Sequence, residues 1–274
     1  MLWAQKECYQ GQRTQDYLSR LDLAEGESLY QICSEICAFY GEVIINRKFG
    51  VFHLVKRWFS GDQENRQVLI AGAGLDALGI EVTERYPRAK VFEIDEENMG
   101  IKSEMVPMSK DMPEGTIRFA EANLIDSSDV YRSLAACGWD PTQPTLLIFE
   151  GVSYYLSPES TRQLFRTLSP DRVIFEFLKH DELVAAERAE ISRKVFGKIA
   201  AICRLDTITR YSYDEINGIM NPLSVTDKFS MKRLENMRTN ANRFFPTEAS
   251  GWIEVCYLES DREGNGNTKL PNLL

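Results

Sequence analysis

The chain has 274 residues, 43% of them hydrophobic, which suits one large or two small globular domains with a sizeable core. Its 41 acidic and 32 basic residues give a net charge of -9, which argues against a nucleic-acid partner and mildly against a polyanionic substrate. No window approaches the roughly 20 apolar residues of a transmembrane helix, and the first ten residues lack the regions of a signal peptide. We therefore expect a cytoplasmic protein without a membrane partner, and its oligomeric state stays open, with a homodimer among the alternatives.

The six cysteines are expected to be reduced core thiols in such a compartment. Cys33 and Cys37 stand four residues apart on a predicted helix and could share a metal ion. The chain has two histidines and no second ligand pair at suitable spacing, so we expect no metal site.

The first 60 residues are predicted to form a helical cap. Apolar residues recur at three- and four-residue steps between residues 14 and 40, which is the period of a helix. Arg47 stands in the apolar stretch that follows, and composition alone favours its interpretation as a surface arginine. Residues 61–66 are predicted to be a polar linker into the first strand.

Residues 66–95 follow the plan of a nucleotide-binding βαβ unit. The apolar run 68–71 is typical of a buried parallel strand, and Gly72 and Gly74 follow it where the chain must turn tightly. The second strand ends on Asp95, whose carboxylate can accept hydrogen bonds from two ribose hydroxyls. The unit therefore predicts a nucleotide-like cofactor at the glycine turn.

The glycine pattern bears on which cofactor binds. Position 77 is Ala, where the dinucleotide fingerprint has its third glycine. Without a pyrophosphate to hold, that glycine is less needed, so the pattern favours S-adenosylmethionine (SAM) over NAD. Asp95 does not discriminate, since both cofactors contain a ribose, and a purely structural glycine turn is a third alternative.

The remaining elements are predicted from strand-like and helix-like patterns. Further strands are expected at residues 116–120, 145–149, 171–178, 224–229 and 252–259. Helices are expected at residues 75–86, 96–110, 130–137, 181–203 and 231–242, and from Ser157 and Pro158 onwards. Residues 113–115 are predicted to turn, and the polar tail from residue 261 to fray. The segment 181–222 is too long for a simple crossover, so we expect a helical insertion that covers the ligand crevice.

Polar side chains follow several predicted strands at the edge where open parallel sheets bind ligands. Asn123 follows the third strand, where it meets an adenine edge or forms an ordinary Asx turn. Glu150, Tyr154 and Tyr155 follow the clearest buried strand and belong at the mouth of the crevice. His180 follows the fifth strand, near the same edge.

Five motifs stand in order along the chain: Ile45-Asn46-Arg47, Gly72-Ala73-Gly74-Leu75-Asp76, Phe92-Glu93-Ile94-Asp95, Asn123-Leu124, and Glu150-Gly151-Val152 followed by Tyr154, Tyr155 and Leu156. In this order they resemble the leucine carboxyl methyltransferase family, a class I SAM-dependent branch that includes bacterial natural-product O-methyltransferases. The resemblance implies a single domain over residues 1–274 with a Rossmann-like α/β fold. Its sheet would be mostly parallel and seven-stranded with an antiparallel C-terminal strand, beside the cap (1–60) and the insertion (181–222).

The resemblance also implies roles for single residues in a SAM site. The implied cofactor-binding residues are Arg47, Gly72, Gly74, Asp95, Asn123, Leu124 and Glu150. Arg47 would pair with the methionine carboxylate, which reverses its interpretation as a surface residue. Glu150 would face the methionine amino group, and Asn123 would contact adenine where the family usually has Asp.

Methyl transfer to a carboxylate needs no general base, whereas transfer to a hydroxyl usually does. The candidate catalytic residues are Tyr154 and Tyr155, which would position the acceptor or simply pack, and His180 as a base. His53, in an aromatic stretch, is better explained by packing. The predicted activity is O-methylation of a small-molecule carboxylate or hydroxyl. The alternatives are aminocarboxypropyl transfer of the nicotianamine synthase type and a non-catalytic SAM-binding module.

Overall fold

A seven-stranded sheet runs through the centre of the protein, for which a computed structural model describes residues 7–60, 66–106 and 116–260. Its strands are β1 (Gln67–Ala71), β2 (Lys90–Asp95), β3 (Ile117–Glu121), β4 (Thr145–Phe149), β5 (Arg172–Leu178), β6 (Leu223–Ser230) and β7 (Ile253–Ser260). The strand order is β3-β2-β1-β4-β5-β7-β6. The first five strands are parallel, and β7 is antiparallel to both of its neighbours. The predicted seven-stranded, mostly parallel sheet with an antiparallel C-terminal strand is confirmed.

Helices cover both faces of this sheet. They are α1 (Gln12–Leu18), α2 (Ala24–Ile36), α3 (Tyr40–Trp58), α4 (Leu78–Arg85), α5 (Met99–Met105), α6 (Ser127–Ala136), α7 (Pro158–Leu168), α8 (Ala186–Cys203), α9 (Tyr213–Ile219) and α10 (Met231–Thr239). Alternate residues of β1 enter two separate hydrophobic clusters: Val68 and Ile70 join one, Leu69 and Ala71 the other. This alternation follows from the two-residue period of a strand, and it gives the sheet a core on each side.

The 19-residue helix α3 covers the stretch around Arg47, which the predicted cap included but for which the sequence showed no helical period of its own. Most of its residues are buried, including polar Asn46 and Lys48. A helix enclosed on most sides lacks the clear polar and apolar faces from which helices are recognised.

Several helix boundaries differ from the predicted ones. Helix α4 begins at Leu78 and not at residue 75, because the side chain of Asp76 accepts the Leu78 N–H at 2.8 Å and residues 72–77 form a turn. The predicted helix 181–203 begins instead as a short 3-10 turn, Asp181–Leu183, and continues as α8. Helix α5 begins at Met99 and not at residue 96, and residues 107–110 of that predicted helix lie outside the described residues.

The insertion contains α8 and α9, and α9 is fixed by a capping box between Ser212 and Glu215. Residues 61–65 of the predicted linker, the predicted turn (113–115) and the predicted tail (from 261) lie outside the described residues, as do residues 1–6 of the cap. Among the helices that the structure describes, none is both long and apolar enough to cross a membrane.

Candidate cofactor site

The carboxyl ends of three neighbouring strands meet at one edge of the sheet. Ala71, the last residue of β1, pairs with Ile94 of β2 and with Phe149 of β4. The segments that follow these strands carry the glycine turn, Asp95 and Glu150. Three of the predicted cofactor-binding segments therefore lie side by side, as the parallel register requires.

The glycine turn needs glycine at its first position. Gly72 has φ +68°, and a Cβ there would lie 2.5 Å from Cγ2 of Val152. Gly74 also has a positive φ, +47°, and its N–H donates to Oδ2 of Asp95 at 2.8 Å. Side chains are disfavoured in this left-handed region, so the turn keeps its backbone bare at the edge of the sheet.

Asp95 is fixed at the end of β2 by two backbone donors. Besides the Gly74 contact, its Oδ1 accepts the N–H of Glu96 at 2.8 Å. Asn123 lies at the same edge, because its Nδ2 donates to Oε1 of Glu96 at 2.9 Å. Its Oδ1 accepts the Ile125 N–H at 2.9 Å, so the Asx turn considered as an alternative is present. Leu124 is buried beside it.

A buried cluster of charged side chains lies next to the glycine turn. Nε of Arg47 is 3.7 Å from Oε1 of Glu150 and 3.7 Å from Oε2 of Glu176. Nζ of Lys48 is 2.7 Å from Oε1 of Glu150 and also forms an ion pair with Asp76. Arg47 is only 9% exposed, so its composition-based interpretation as a surface arginine is wrong. We refer to these five residues as the charged cluster.

Burial and mutual attraction set the protonation of this cluster. Burial raises the pKa of Glu176, and the nearby Arg47 only partly offsets this effect. Burial also acts to raise the pKa of Asp76, but Lys48 outweighs it, so this pKa lies below its usual value. Among the described residues, Nε of Arg47 and Oε1 of Glu176 are buried without a hydrogen-bond partner. Such atoms are rare in proteins, and they indicate where a polar ligand would complete the site.

The predicted catalytic residues separate into two groups. Tyr154 is buried, its hydroxyl accepts from Nη1 of Arg47 at 3.5 Å, and its ring lies 4.6 Å from that of Tyr155. Burial raises the pKa of both tyrosines. His180 instead has Nε2 2.7 Å from Oε2 of Glu215, the capping residue of α9. The structure thus brings Tyr154 to the charged cluster and ties His180 to the insertion.

Two further sequence candidates have packing roles. His53 lies between Phe49 and Phe229, with ring centroids 6.1 and 5.8 Å away, and burial lowers its pKa. Cys33 and Cys37 are buried, and burial raises the pKa of Cys37 to about 11, so its thiol stays protonated at neutral pH. In the described part of the chain, no three potential ligand side chains are grouped to hold a metal ion.

Residues 41–169 match the model of the leucine carboxyl methyltransferase family. The match covers slightly less than half of the chain. It contains every predicted cofactor-binding residue, from Arg47 to Glu150. The family predicted from the motifs, and SAM as its cofactor, are thereby confirmed.

Curated relatives agree with this family. A protein of Mycolicibacterium paratuberculosis is 33% identical over 142 residues, which cover 48% of this chain and 44% of that protein. One of Mycolicibacterium gilvum is 34% identical over 108 residues, which cover 38% and 33%. Both carry the name "Putative S-adenosyl-L-methionine-dependent methyltransferase". The chain spans less than half the length of these relatives.

The solved structures extend the similarity to the whole fold. A DUF574 family protein from Streptomyces avermitilis has a TM-score of 0.62 at 15% identity, covering 94% of this chain and 99% of that one. At this identity the likeness concerns the fold alone, and it agrees with the predicted class I methyltransferase fold.

Sequence reasoning missed several residues of this candidate site. Lys48 directly follows Arg47 on α3, and Asp76 closes the quoted glycine motif, yet neither was assigned a role. Glu176 carries the clearest overlooked signal, because a carboxylate inside the apolar strand Arg172–Leu178 must have a polar reason to be buried.

Proposed function

We propose that the chain is a SAM-dependent O-methyltransferase that acts on a small-molecule carboxylate, with a hydroxyl as the alternative acceptor. The observation that carries this proposal is the position of the charged cluster. It lies beside a bare glycine turn and a ribose-suited carboxylate at the ends of β1, β2 and β4. A cytoplasmic location remains a prediction from the sequence.

The donors and acceptors present fit the parts of SAM. Asp95 offers a carboxylate to the two ribose hydroxyls, and Gly72 leaves the space that a Cβ would fill against Val152. Arg47, with its unpartnered Nε, suits the methionine carboxylate, and Glu150 suits the ammonium. Asn123 and Leu124 would frame the adenine.

The net charge of the cluster also suits this cofactor. Its three carboxylates (Asp76, Glu150 and Glu176) outnumber its two cations (Arg47 and Lys48) when all are ionised. A surplus of negative charge in a buried site attracts a cation such as a sulfonium. This attraction depends on an ionised Glu176, since its protonation, which the raised pKa favours, leaves two carboxylates and two cations in balance.

Bound SAM supplies a methyl group on a positively charged sulfur that needs no further activation. The chain has to hold the cofactor and the acceptor in line for the displacement. Such positioning can lower the activation barrier by up to roughly 7–11 kcal/mol. Because its pKa is raised, the Tyr154 hydroxyl stays protonated, so it can donate a hydrogen bond but is a poor base. His180 is engaged by Glu215. A carboxylate acceptor, which is already anionic, fits this site better than a hydroxyl that must lose a proton.

Double labelling of SAM tests the proposal. The full chain is incubated with a panel of carboxylic acids and phenols, and with SAM labelled either on the methyl group or on the amino-acid carbons. We expect methyl label in a base-labile ester of a carboxylic acid, and none when that acid is supplied as its methyl ester.

Two other results would contradict the proposal. Transfer of the amino-acid label would indicate aminocarboxypropyl chemistry. Failure of the chain to bind SAM or S-adenosylhomocysteine in calorimetry would rule out both enzymatic functions.

A further inference from the structure

Lys102, on α5, is fully buried, although lysine side chains are rarely enclosed. Its Nζ lies 2.6 Å from Oε2 of Glu93 on β2, which is 1% exposed. A buried ion pair adds little net stability, because the desolvation of both ions opposes their attraction. The pair therefore needs an explanation beyond stability.

The ammonium of Lys102 holds the glycine turn by its carbonyl groups. It donates to the carbonyl oxygen of Gly74 at 3.0 Å and to that of Asp76. The carbonyl between them, of Leu75, accepts from the hydroxyl of Tyr17 at 3.0 Å. Three consecutive carbonyl groups of the turn are thus bound from within the protein.

Strand β2 fixes this turn from two directions. Asp95 accepts the Gly74 N–H, whereas Glu93 acts on the carbonyl groups through Lys102. The two acids stand two residues apart on one strand, so their side chains project to the same face. One strand therefore anchors both the amide and the carbonyl groups of the turn.

We infer that Lys102 is a positioning residue for the cofactor, which holds the glycine turn in its binding conformation through the Gly74 and Asp76 carbonyl groups. The inference rests on the proposed function, since it requires a cofactor at this turn. Glycine readily adopts φ values of either sign, so a turn released from Lys102 samples several conformations. Ordering it again on binding weakens affinity.

A single Lys102→Met variant would lose the contacts to the turn and would also leave Glu93 buried and unpaired. Its binding data would therefore not separate the loss of positioning from a general loss of stability. The Glu93→Leu/Lys102→Met double variant removes both charges and replaces them with apolar groups, an exchange that buried ion pairs commonly tolerate. We expect its urea midpoint to stay near that of the wild type, while the Kd for SAM rises about ten-fold or more in calorimetry. A double variant that binds SAM as tightly as the wild type would reduce the pair to a structural role and overturn the inference.

Lys90→Met is the matched control, since it removes an exposed lysine from the start of β2 and should leave the Kd unchanged. If this double variant does not fold, Glu93→Gln/Lys102→Met tests the same idea, because Gln keeps the size of Glu93 without its charge, and Met still removes the donor to the Gly74 and Asp76 carbonyl groups. We again expect a Kd about ten-fold higher, and an unchanged Kd would contradict the inference.

Amide hydrogen exchange across residues 72–77 gives a readout that needs no cofactor. Faster exchange in the double variant supports the role of Lys102, and unchanged exchange refutes it. If the wild type itself failed to bind SAM, the proposed function would fail while this exchange measurement still reported on Lys102.

Discussion

Replacing Asp95 by Asn separates the two roles that the structure gives this carboxylate. In the protein, Asp95 accepts two backbone N–H groups, from Gly74 and Glu96, each at 2.8 Å. In the proposed complex, it also accepts the ribose hydroxyls. Asn keeps the shape and one acceptor oxygen, but it turns an NH₂ group towards one of these donors.

The size of the effect follows from the number of charge-assisted contacts. Hydrogen bonds to a charged group contribute about 1.5–3 kcal/mol, against about 0.5–1.5 kcal/mol for neutral ones. With one backbone contact of Asp95 lost and the other weakened, we expect the free energy of unfolding to fall by about 2–3 kcal/mol. Losing one ribose contact and weakening the second raises the Kd for SAM by at least about ten-fold.

Calorimetry with adenosine and 2′,3′-dideoxyadenosine isolates the ribose contribution. The wild type should prefer adenosine, and Asp95→Asn should lose most of that preference, because both ligands then lack the carboxylate partner. Glu97→Gln, which neutralises an exposed acid two residues further along, is the control and should bind like the wild type. An Asp95→Asn protein that binds SAM with wild-type affinity would remove Asp95 from the site.

Three further substitutions probe the charged cluster and its neighbours. Arg47→Lys keeps the positive charge but loses the planar guanidinium that can bind a carboxylate through two hydrogen bonds, so calorimetry should show SAM binding about ten-fold weaker. Equal affinity would exclude Arg47 as the partner of the methionine carboxylate. His180→Gln should leave the methyl-transfer rate within about three-fold of the wild type, whereas a general base would cost about 100-fold or more. Because burial raises the pKa of Glu176, its carboxyl group binds a proton more tightly in the folded state than in the unfolded state. The free energy of unfolding therefore falls as the pH rises from the usual glutamate range through the raised pKa of the folded state. Glu176→Gln should therefore lose less stability than the wild type in urea titrations as the pH rises above the usual glutamate range, and parallel losses would contradict the buried-acid explanation.

The sequence predicted the elements that depend on local patterns. The apolar run of β4 was located to the residue, and the glycine turn and Asp95 followed from the βαβ pattern. Helix α3 was predicted only as part of the helical cap and not as an element of its own, since polar Asn46 and Lys48 are buried among its apolar residues and obscure the helical period.

The charged cluster depends on contacts that no local pattern contains. Arg47 meets Glu150 and Glu176 only when α3 packs over the ends of β4 and β5, which lie about 100 residues further along the chain. Composition therefore misjudged the burial of Arg47, whereas the family motif predicted a role for this residue in the site. The Glu215 partner of His180 was equally hidden, because α9 belongs to an insertion whose path the sequence does not indicate.

The pairing of Ala71 with Ile94 and Phe149 has a consequence for the lifetime of the protein in a cell. Residues after β1, β2 and β4 converge on one point, so a ligand bound there holds together the middle of the sheet. A ligand at 100 times its Kd stabilises the folded state by about 2.7 kcal/mol. Shifts of about 1–2 kcal/mol change the abundance of a marginally stable protein several-fold. On the proposed function, a cell short of methionine would therefore lose the enzyme to proteolysis as well as its cofactor.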